Sequence, residues 1–438
     1  MTAMQLHKKI TVGVLVLATV ASLTACATSA PAASSSNKVP LSMWVPEPNP
    51  QPGIFQGAIK RFTAKTGIRV NIDQYPWSTY ETKLTTALTG GTGPDVAEIG
   101  NTWAAGLQNT GGLTDWTSAD FKAIGGKSKF VSSTLGVTGA PGKPPASVPV
   151  AAQTWVLLYN KAMLSAAGIA APPKTWTEMI ADAKKLTDPS KGVYGIATAA
   201  GGGQQAAQTL VWVMAKQWGG NVVSKSGKAT MESAPVVDAV TNFVNWAGSD
   251  GIMSPDVATD AGGTKADAAL ADGTAAMELT QNVSPIITRP GKIGLADVPL
   301  EDANATGSRA IMSHVAGENL AIFKTTKQKA ESLQLIKFLT SESEQVTINK
   351  MLYEIPTTTA AAKNKYFQTP DLKVYSSILQ NHAQPSPTGK NAYVVLNAYG
   401  AAIVNLEKQA VTTHNVTRAQ VLAALQKADA TADATGGQ

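Results

Sequence analysis

The sequence predicts an α/β protein of two or three lobes, and three observations carry that prediction. Strand and helix patterns alternate in the order β-α-β-α-β within residues 41–99, which implies a parallel sheet covered on both faces. The chain is broken by Gly- and Pro-rich stretches at 136–150, after Pro299 and at Ile355-Pro356, where it is expected to cross between lobes. Its length is 438 residues, enough for two or three cores at roughly 150 residues per domain.

The elements follow in order. Residues 41–45 read as a strand. Phe55, Ile59 and Phe62 recur at helical spacing, and Gly67 is placed to stop that helix. Ile68, Val70 and Ile72 alternate as a strand does, and a helix is expected over 79–88. Residues 90–95 are a turn cluster, and 96–99 a short strand. In such sheets ligands bind beyond the C-terminal strand ends, which here fall near 45–49, 74–77 and 99–103. Residues 151–160 read as one strand opening into a helix that Gly168 stops. Thr175-Trp-Thr-Glu178 has the capping-box pattern, the Thr hydroxyl serving one free amide and the Glu another. The helix it starts carries Ile180, Ala183 and Leu186 on one face. Gly201-Gly-Gly203 precedes a helix through Trp218. Residues 275–279 are a short apolar segment ending at Gln281-Asn282, residues 317–323 a strand, and Leu333, Ile336 and Leu339 a helical stripe. The last 80 or so residues read as helical.

Composition is that of a globular chain, 44% hydrophobic and 15% charged. The formal charge of +6 includes Lys8 and Lys9. With no basic run and no Arg-rich stretch interleaved with aromatics, no nucleic-acid partner is expected. Lys8 and Lys9, an apolar run from Ile10 to about Ala21 and the small residues before Cys26 form a secretory signal. The run is shorter than the roughly 20 residues that span a bilayer. Leu23-Thr24-Ala25-Cys26 resembles the bacterial lipobox, whose cysteine is acylated and becomes the mature N-terminus. Cys26 is the only cysteine, so an internal disulfide is excluded. Residues 1–25 are thus expected to be a lipoprotein signal peptide and 26–38 a flexible tether, with the domain held by lipid at Cys26 on the extracytoplasmic face of the cell membrane.

Four stretches, taken together and in order, resemble the extracellular solute-binding proteins of bacterial ABC sugar importers, in the large maltose-binding class. They are Gly93-Pro-Asp-Val96; Leu158-Tyr-Asn-Lys161 leading to Pro173-Lys-Thr-Trp-Thr-Glu178; Gly273-Thr-Ala-Ala-Met-Glu278; and Gly317 to Phe323 with the helix to Phe338-Leu-Thr340. Gly100-Asn-Thr-Trp103, Ala152-Gln-Thr-Trp155 and Gln281-Asn282 look closer to the actinobacterial branch that includes chitobiose-type binders. The resemblance implies a two-lobed periplasmic-binding-protein fold with a ligand cleft between the lobes and several hinge crossovers. It implies residues 39–150 with 298–356 as one lobe and 151–297 with 357–438 as the other. It also implies a monomer that captures a small oligosaccharide and delivers it to ABC permease subunits, with no catalytic step, cofactor or metal.

A pyranose offers hydroxyls to planar amides and carboxylates, and C–H faces to aromatic rings. The candidate ligand residues are therefore Glu47, Trp77, Glu98, Asn101 and Trp103 at the first strand ends, and Gln153 and Trp155, two apart on one strand face. Gln281 and Asn282 come from the second lobe, and Glu318 and Asn319 from the return segment. The family often has Gly-Pro-Trp where this chain has Gln281-Asn282, which removes one stacking ring. Trp44, Trp116, Trp176, Trp212 and Trp246 are read as packing residues, and Trp155 fits a platform or a core equally well. Nine Trp against eight Phe favours a carbohydrate ligand.

Other classes fit less well. The four histidines, His7, His314, His382 and His414, lie far apart without ligand spacing. Gly126-Lys127-Ser128 lacks the Gly that a P-loop needs at position 121, which is Phe. A secreted glycoside hydrolase would need two carboxyls about 5 to 9 Å apart across a sugar. Glu98 and Glu318 could face one cleft, so the sequence leaves that rival open. A polyamine receptor would need several acidic residues at the cleft, where mainly amides and aromatics are expected.

Overall fold

The computed structural model describes residues 39–47, 53–224, 226–261, 263–388 and 391–436. The leader, Cys26 and the tether lie outside them. Among the described residues, ten of twelve strands form two principal sheets. β1 (Leu41–Pro46), β2 (Val70–Tyr75), β3 (Val96–Gly100), β4 (Ser147–Gln153), β10 (Ala316–Ile322) and β11 (Ile355–Pro356) build the first, in the order β11-β4-β10-β3-β1-β2. β5 (Val156–Asn160), β6 (Tyr194–Thr198), β7 (Ala275–Thr280) and β8 (Ile293–Ala296) build the second, in the order β6-β7-β5-β8. The other two strands, β9 (Ser313–His314) and β12 (Ala383–Gln384), form a short parallel pair.

The first sheet is parallel where the β-α-β-α-β pattern lies, β1 pairing with both β2 and β3. It turns antiparallel at β10, which pairs with β3 and β4. Helix α1 (Ile54–Thr66) buries Phe55, Ile59 and Phe62, and Gly67 ends it in the left-handed conformation at φ 73°. Helix α2 (Trp77–Thr89) connects β2 to β3. In the second lobe the capping box forms: Thr175 Oγ1 accepts from the Glu178 amide at 3.1 Å, and Glu178 accepts from the Thr175 amide at 3.2 Å. Each lobe has its own apolar core, one around Leu41, Phe62, Val148 and Leu320, the other around Trp176, Val211, Phe243, Trp246 and Met277. Trp116, Trp176, Trp212 and Trp246 are buried packing residues. Trp44 packs edge-on against Tyr75.

Three expectations are corrected. Residues 151–160 are not one strand: β4 ends at Gln153 in the first sheet and β5 begins at Val156 in the second. The chain crosses at Thr154-Trp155, where the Trp155 amide donates to Ser313 Oγ at 2.8 Å instead of joining a ladder. The stretch 136–150 is thus not the crossover, because β4 occupies its end. The return does not fall at Pro299 either. Leu300 bridges Thr175, and Gln217 Nε2 donates to the carbonyls of Pro299 and Ile311. The chain stays with the second lobe until β9, just before β10. It leaves the first sheet again after β11, and Leu372, Tyr375 and Ile378 join the second core.

Gly93-Pro94-Asp95 serves this framework. Gly93 has φ 119°, and a Cβ there would lie 2.6 Å from the Phe323 ring. Asp95 accepts from the Ser42 amide at 2.9 Å and from the Thr326 hydroxyl, tying β1 to the turn after β10. Gly93→Ala and Asp95→Ala are each expected to destabilise the mature domain by about 2 kcal/mol, read as a lower urea midpoint; an unchanged midpoint would contradict the structural role.

Candidate functional site

The strand register assembles a row of polar side chains on one face of the first sheet. Glu318 of β10 pairs with Gly100 of β3 and with Ala151 of β4. Directly opposed residues share a face, and so do residues two apart on a strand. Glu98, two before Gly100, therefore lies diagonal to Glu318, and Gln153, two after Ala151, lies diagonal to it on the other side. Ile355 pairs with Ala152, which sets Glu354 across from Gln153. These residues stand at the ends of β3 and β4 and at the entry to β11, where two of the crossing segments lie.

The contacts follow from this register. Gln153 Nε2 donates to Glu354 Oε1. The Glu354 and Glu318 carboxyls lie against one another. Glu98 and Glu354 are 3% and 7% exposed, and no Lys, Arg or His among the described residues is ion-paired with any of the three. Burial pushes the Glu98 carboxyl well above the usual range, and the charge of Glu318 adds to it. Burial does the same at Glu354, again reinforced by Glu318. Burial also raises Glu318, opposed by its hydrogen bond with Glu354. Burial thus pushes all three carboxyls toward their protonated forms.

Aromatic groups flank it. Trp103 is buried, and a Cβ on Gly100 would come within 3.0 Å of its ring. Exposed Trp77, the first residue of α2, lies on Trp103 with ring centroids 4.6 Å apart. Tyr80 meets Trp103 edge-on at 6.3 Å. Tyr80 is fully buried, its hydroxyl has no partner, and it senses the charge of Glu98. From the second lobe, the Tyr375 hydroxyl donates to the Gln281 carbonyl at 3.1 Å and senses Glu354 and Glu318. Glu81, one turn beyond Trp77, is hydrogen-bonded to Tyr393 of the helix Ala392–Thr413, and burial pushes its carboxyl up to about 7.

The candidates from the sequence thus separate. Glu98, Gln153 and Glu318 form the cluster, and Trp77 with Trp103 forms the ring pair. Gln281 is half-buried beside Tyr375, with its Nε2 unpartnered. Glu47 is exposed just past β1, its amide on the Tyr75 carbonyl. The others are held by internal bonds. Asn101 donates to the Val315 carbonyl at 3.2 Å. Asn282 donates to Asp267 and caps the Ser284 amide. Fully buried Asn319 donates to Val137 O and Ser147 Oγ. Trp155 is 1% exposed in the second core. The sequence reading missed Glu354, Tyr80, Glu81, Tyr375 and Tyr393. A charged residue next to the Ile355-Pro356 crossing was a usable signal for Glu354; Tyr375 and Tyr393 had none. A separate hollow of about 610 Å³, lined by Val39, Gly91, Asp95 and Lys327 among others, opens at the opposite, N-terminal ends of β1 and β3.

Two α/β lobes joined by crossing segments, with rings and polar groups at the junction, have the form of a solute-binding protein. The chain belongs to the bacterial extracellular solute-binding protein family, whose profile matches residues 47–346. It is 25% identical to a putative binding protein of Brucella abortus over 362 residues, covering 79% of this chain and 83% of that one. A diacetylchitobiose-binding protein of Streptomyces coelicolor is 34% identical over 147 residues, 33% of each chain. A maltose-bound T. maritima protein superposes with TM-score 0.77 at 22% identity, covering 90% of this chain and 99% of that one. Among the described residues no helix is long and apolar enough to cross a membrane.

The raised carboxyls give stability a definite pH dependence. A carboxyl whose folded pKa lies above its unfolded value stabilises the fold fully below the unfolded value, and that contribution is lost as pH rises through the folded one. Glu278 and Glu407, raised by burial, act with the same sign. Buried His314, held down to about 4, acts oppositely, but only below its unfolded value near 6.5. Between pH 6.5 and 8.5 the melting temperature of the ligand-free mature domain should therefore fall. Glu354→Gln should reduce that slope and raise the melting temperature at pH 8.5 by on the order of 2 °C. A melting temperature that climbs across this window would contradict the assignment.

Proposed function

We propose that this protein captures a small sugar, an oligosaccharide of a few units, outside the membrane and passes it to the permease subunits of an ABC importer. The observation that carries this reading is the exposed Trp77 ring, backed by Trp103 and set beside the Glu98, Gln153, Glu318 and Glu354 row. The ring suits the C–H face of a pyranose, and the planar polar groups suit its hydroxyls. Gln281 completes the contact from the second lobe. The similarity to a diacetylchitobiose-binding protein supports a carbohydrate ligand. Membership of the extracellular solute-binding family supports binding over the glycoside-hydrolase alternative built on Glu98 and Glu318.

In this reading the protein acts as a monomer without a cofactor, tethered by lipid on Cys26. Closure of the lobes about the crossing segments selects the loaded form for docking. Cys26→Ser should release the protein from the membrane fraction of the expressing cell; retention equal to the parent would contradict a lipid anchor. Calorimetry of the mature domain against a panel of mono- and disaccharides should give a saturable response with one sugar class. Trp77→Ala should weaken that response about tenfold or more. Silence across the panel, or full affinity in Trp77→Ala, would contradict the proposal.

A further inference from the structure

Charge is unevenly spread over the two helical layers of the first lobe. Successive strand residues point to opposite faces of a sheet, and Val96 and Leu320 belong to one core cluster while Ala97 and Ala321 belong to another. α1 and the helices Ser118–Ala123, Lys329–Leu339 and Glu342–Leu352 cover the first face, burying Phe62, Phe121, Leu335 and Ile348. α2 and the helix Ala104–Asn109 cover the second. The first layer exposes Lys60, Arg61 and Lys65 from α1, Lys122 and Lys127 from residues 118–129, and Lys329 and Lys337 from the third helix. Much of its acidic complement is turned inward. Asp120 and Glu344 are 7% and 4% exposed, and they pair with Lys329 at 2.9 Å and Arg61 at 2.6 Å. Among the described residues no carboxylate is ion-paired with Lys60, Lys65, Lys122, Lys127 or Lys337. Lys65 lies over the Phe338 ring and Lys127 over the Phe121 ring, at 6.0 and 5.7 Å. Burial, with the charge of Lys337 adding to it, pushes the Lys129 ammonium down to about 8. Like charges therefore crowd on this layer. The helices of the second layer carry one lysine, Lys83, and one carboxyl, Glu81.

Resting on the reading of Cys26 as a lipid anchor, we propose that this basic face lies on the anionic headgroups of the bilayer that holds the anchor. The point where the chain enters the domain favours that occupant. Val39, the first described residue, lines the hollow of about 610 Å³ together with Lys327 and Gln328, which lead into the helix Lys329–Leu339. The chain thus joins the domain at one end of the basic face. Twelve residues separate Cys26 from Val39, a reach of about 45 Å at full extension, so the lobe stays near the bilayer. Basic residues close to an anionic surface each add to its hold. An acyl anchor backed by a polybasic surface is held more firmly than one acting alone. The basic residues come from three separate stretches of chain, so no single run in the sequence shows them. Trp77 and α2 belong to the other layer, and docking leaves that ring uncovered. Physiological salt screens the attraction to within roughly 8 Å, so the face adds to the lipid and does not replace it.

The test is co-sedimentation of the full mature chain carrying Cys26→Ser with vesicles of phosphatidylcholine, alone or mixed with phosphatidylglycerol. Without its lipid the chain reports the face alone, so a failure here leaves the anchor reading intact; cell fractionation tests that reading separately. The chain should bind the mixed vesicles at low salt, leave the neutral ones free, and be released as salt rises. Lys60→Gln, Lys65→Gln and Lys337→Gln combined should weaken binding about tenfold or more. The same change at Lys228, Lys265 and Lys427, exposed on the second lobe, should leave binding unaltered, with melting curves checking that both variants are folded. Equal losses in the two variants would assign the effect to overall charge and overturn the proposal. Equal binding to neutral vesicles, or no binding to either kind, would overturn it too. Binding to soluble polyglutamate without binding to vesicles would assign the face to an acidic protein and overturn the bilayer as its occupant.

Discussion

Two buried carboxyl groups, Glu98 and Glu354, and the half-buried Glu318 are gathered where the chain passes between lobes, and much of the site depends on keeping them there. Their placement is a consequence of register. β10 sits between β3 and β4 with Glu318 opposite Gly100 and Ala151, so every second residue along the neighbouring strands adds to one row. Lacking a basic partner among the described residues, the row is accommodated by protonation and by the Gln153 amide. The space left by Gly100 is taken by Trp103, and Trp103 in turn supports Trp77. One strand alignment thus sets both the polar and the aromatic halves of the site.

The crossing segments run beside this row. Gln153 is the last residue of β4 before the chain leaves the first sheet, and Glu354 is the last before β11. A ligand held by the row would therefore touch the residues at which the chain passes between the lobes. The Glu81–Tyr393 contact adds a link between α2 and the helix Ala392–Thr413. Binding and lobe closure would then share side chains without a separate relay between them.

Much of the framework was legible in the sequence because it rests on local signals. The β-α-β-α-β order, the Gly67 stop and the Thr175–Glu178 capping box depend on residues a few positions apart, and all three form. The break at Thr154-Trp155 was not legible, because residues 151–160 are apolar on both sides of it and hydropathy runs through unchanged. Asn101, Asn282 and Asn319 have the right chemistry for a sugar, but main-chain and side-chain groups far along the chain already engage them. Glu354 and Tyr375 reach the site from segments whose position is set by tertiary packing alone. The number of acidic groups at the cleft could therefore be counted only once the strand register was known.

The most direct test of the central claim is small-angle X-ray scattering of the mature domain with and without a saturating ligand from the calorimetric panel. A hinged receptor whose ligand joins the Glu98–Glu318–Glu354 row to Gln281 of the second lobe should become more compact when loaded, with a smaller radius of gyration. Gln281→Ala should lessen that change. An identical profile at full occupancy would contradict binding between the lobes and place the ligand on one lobe alone.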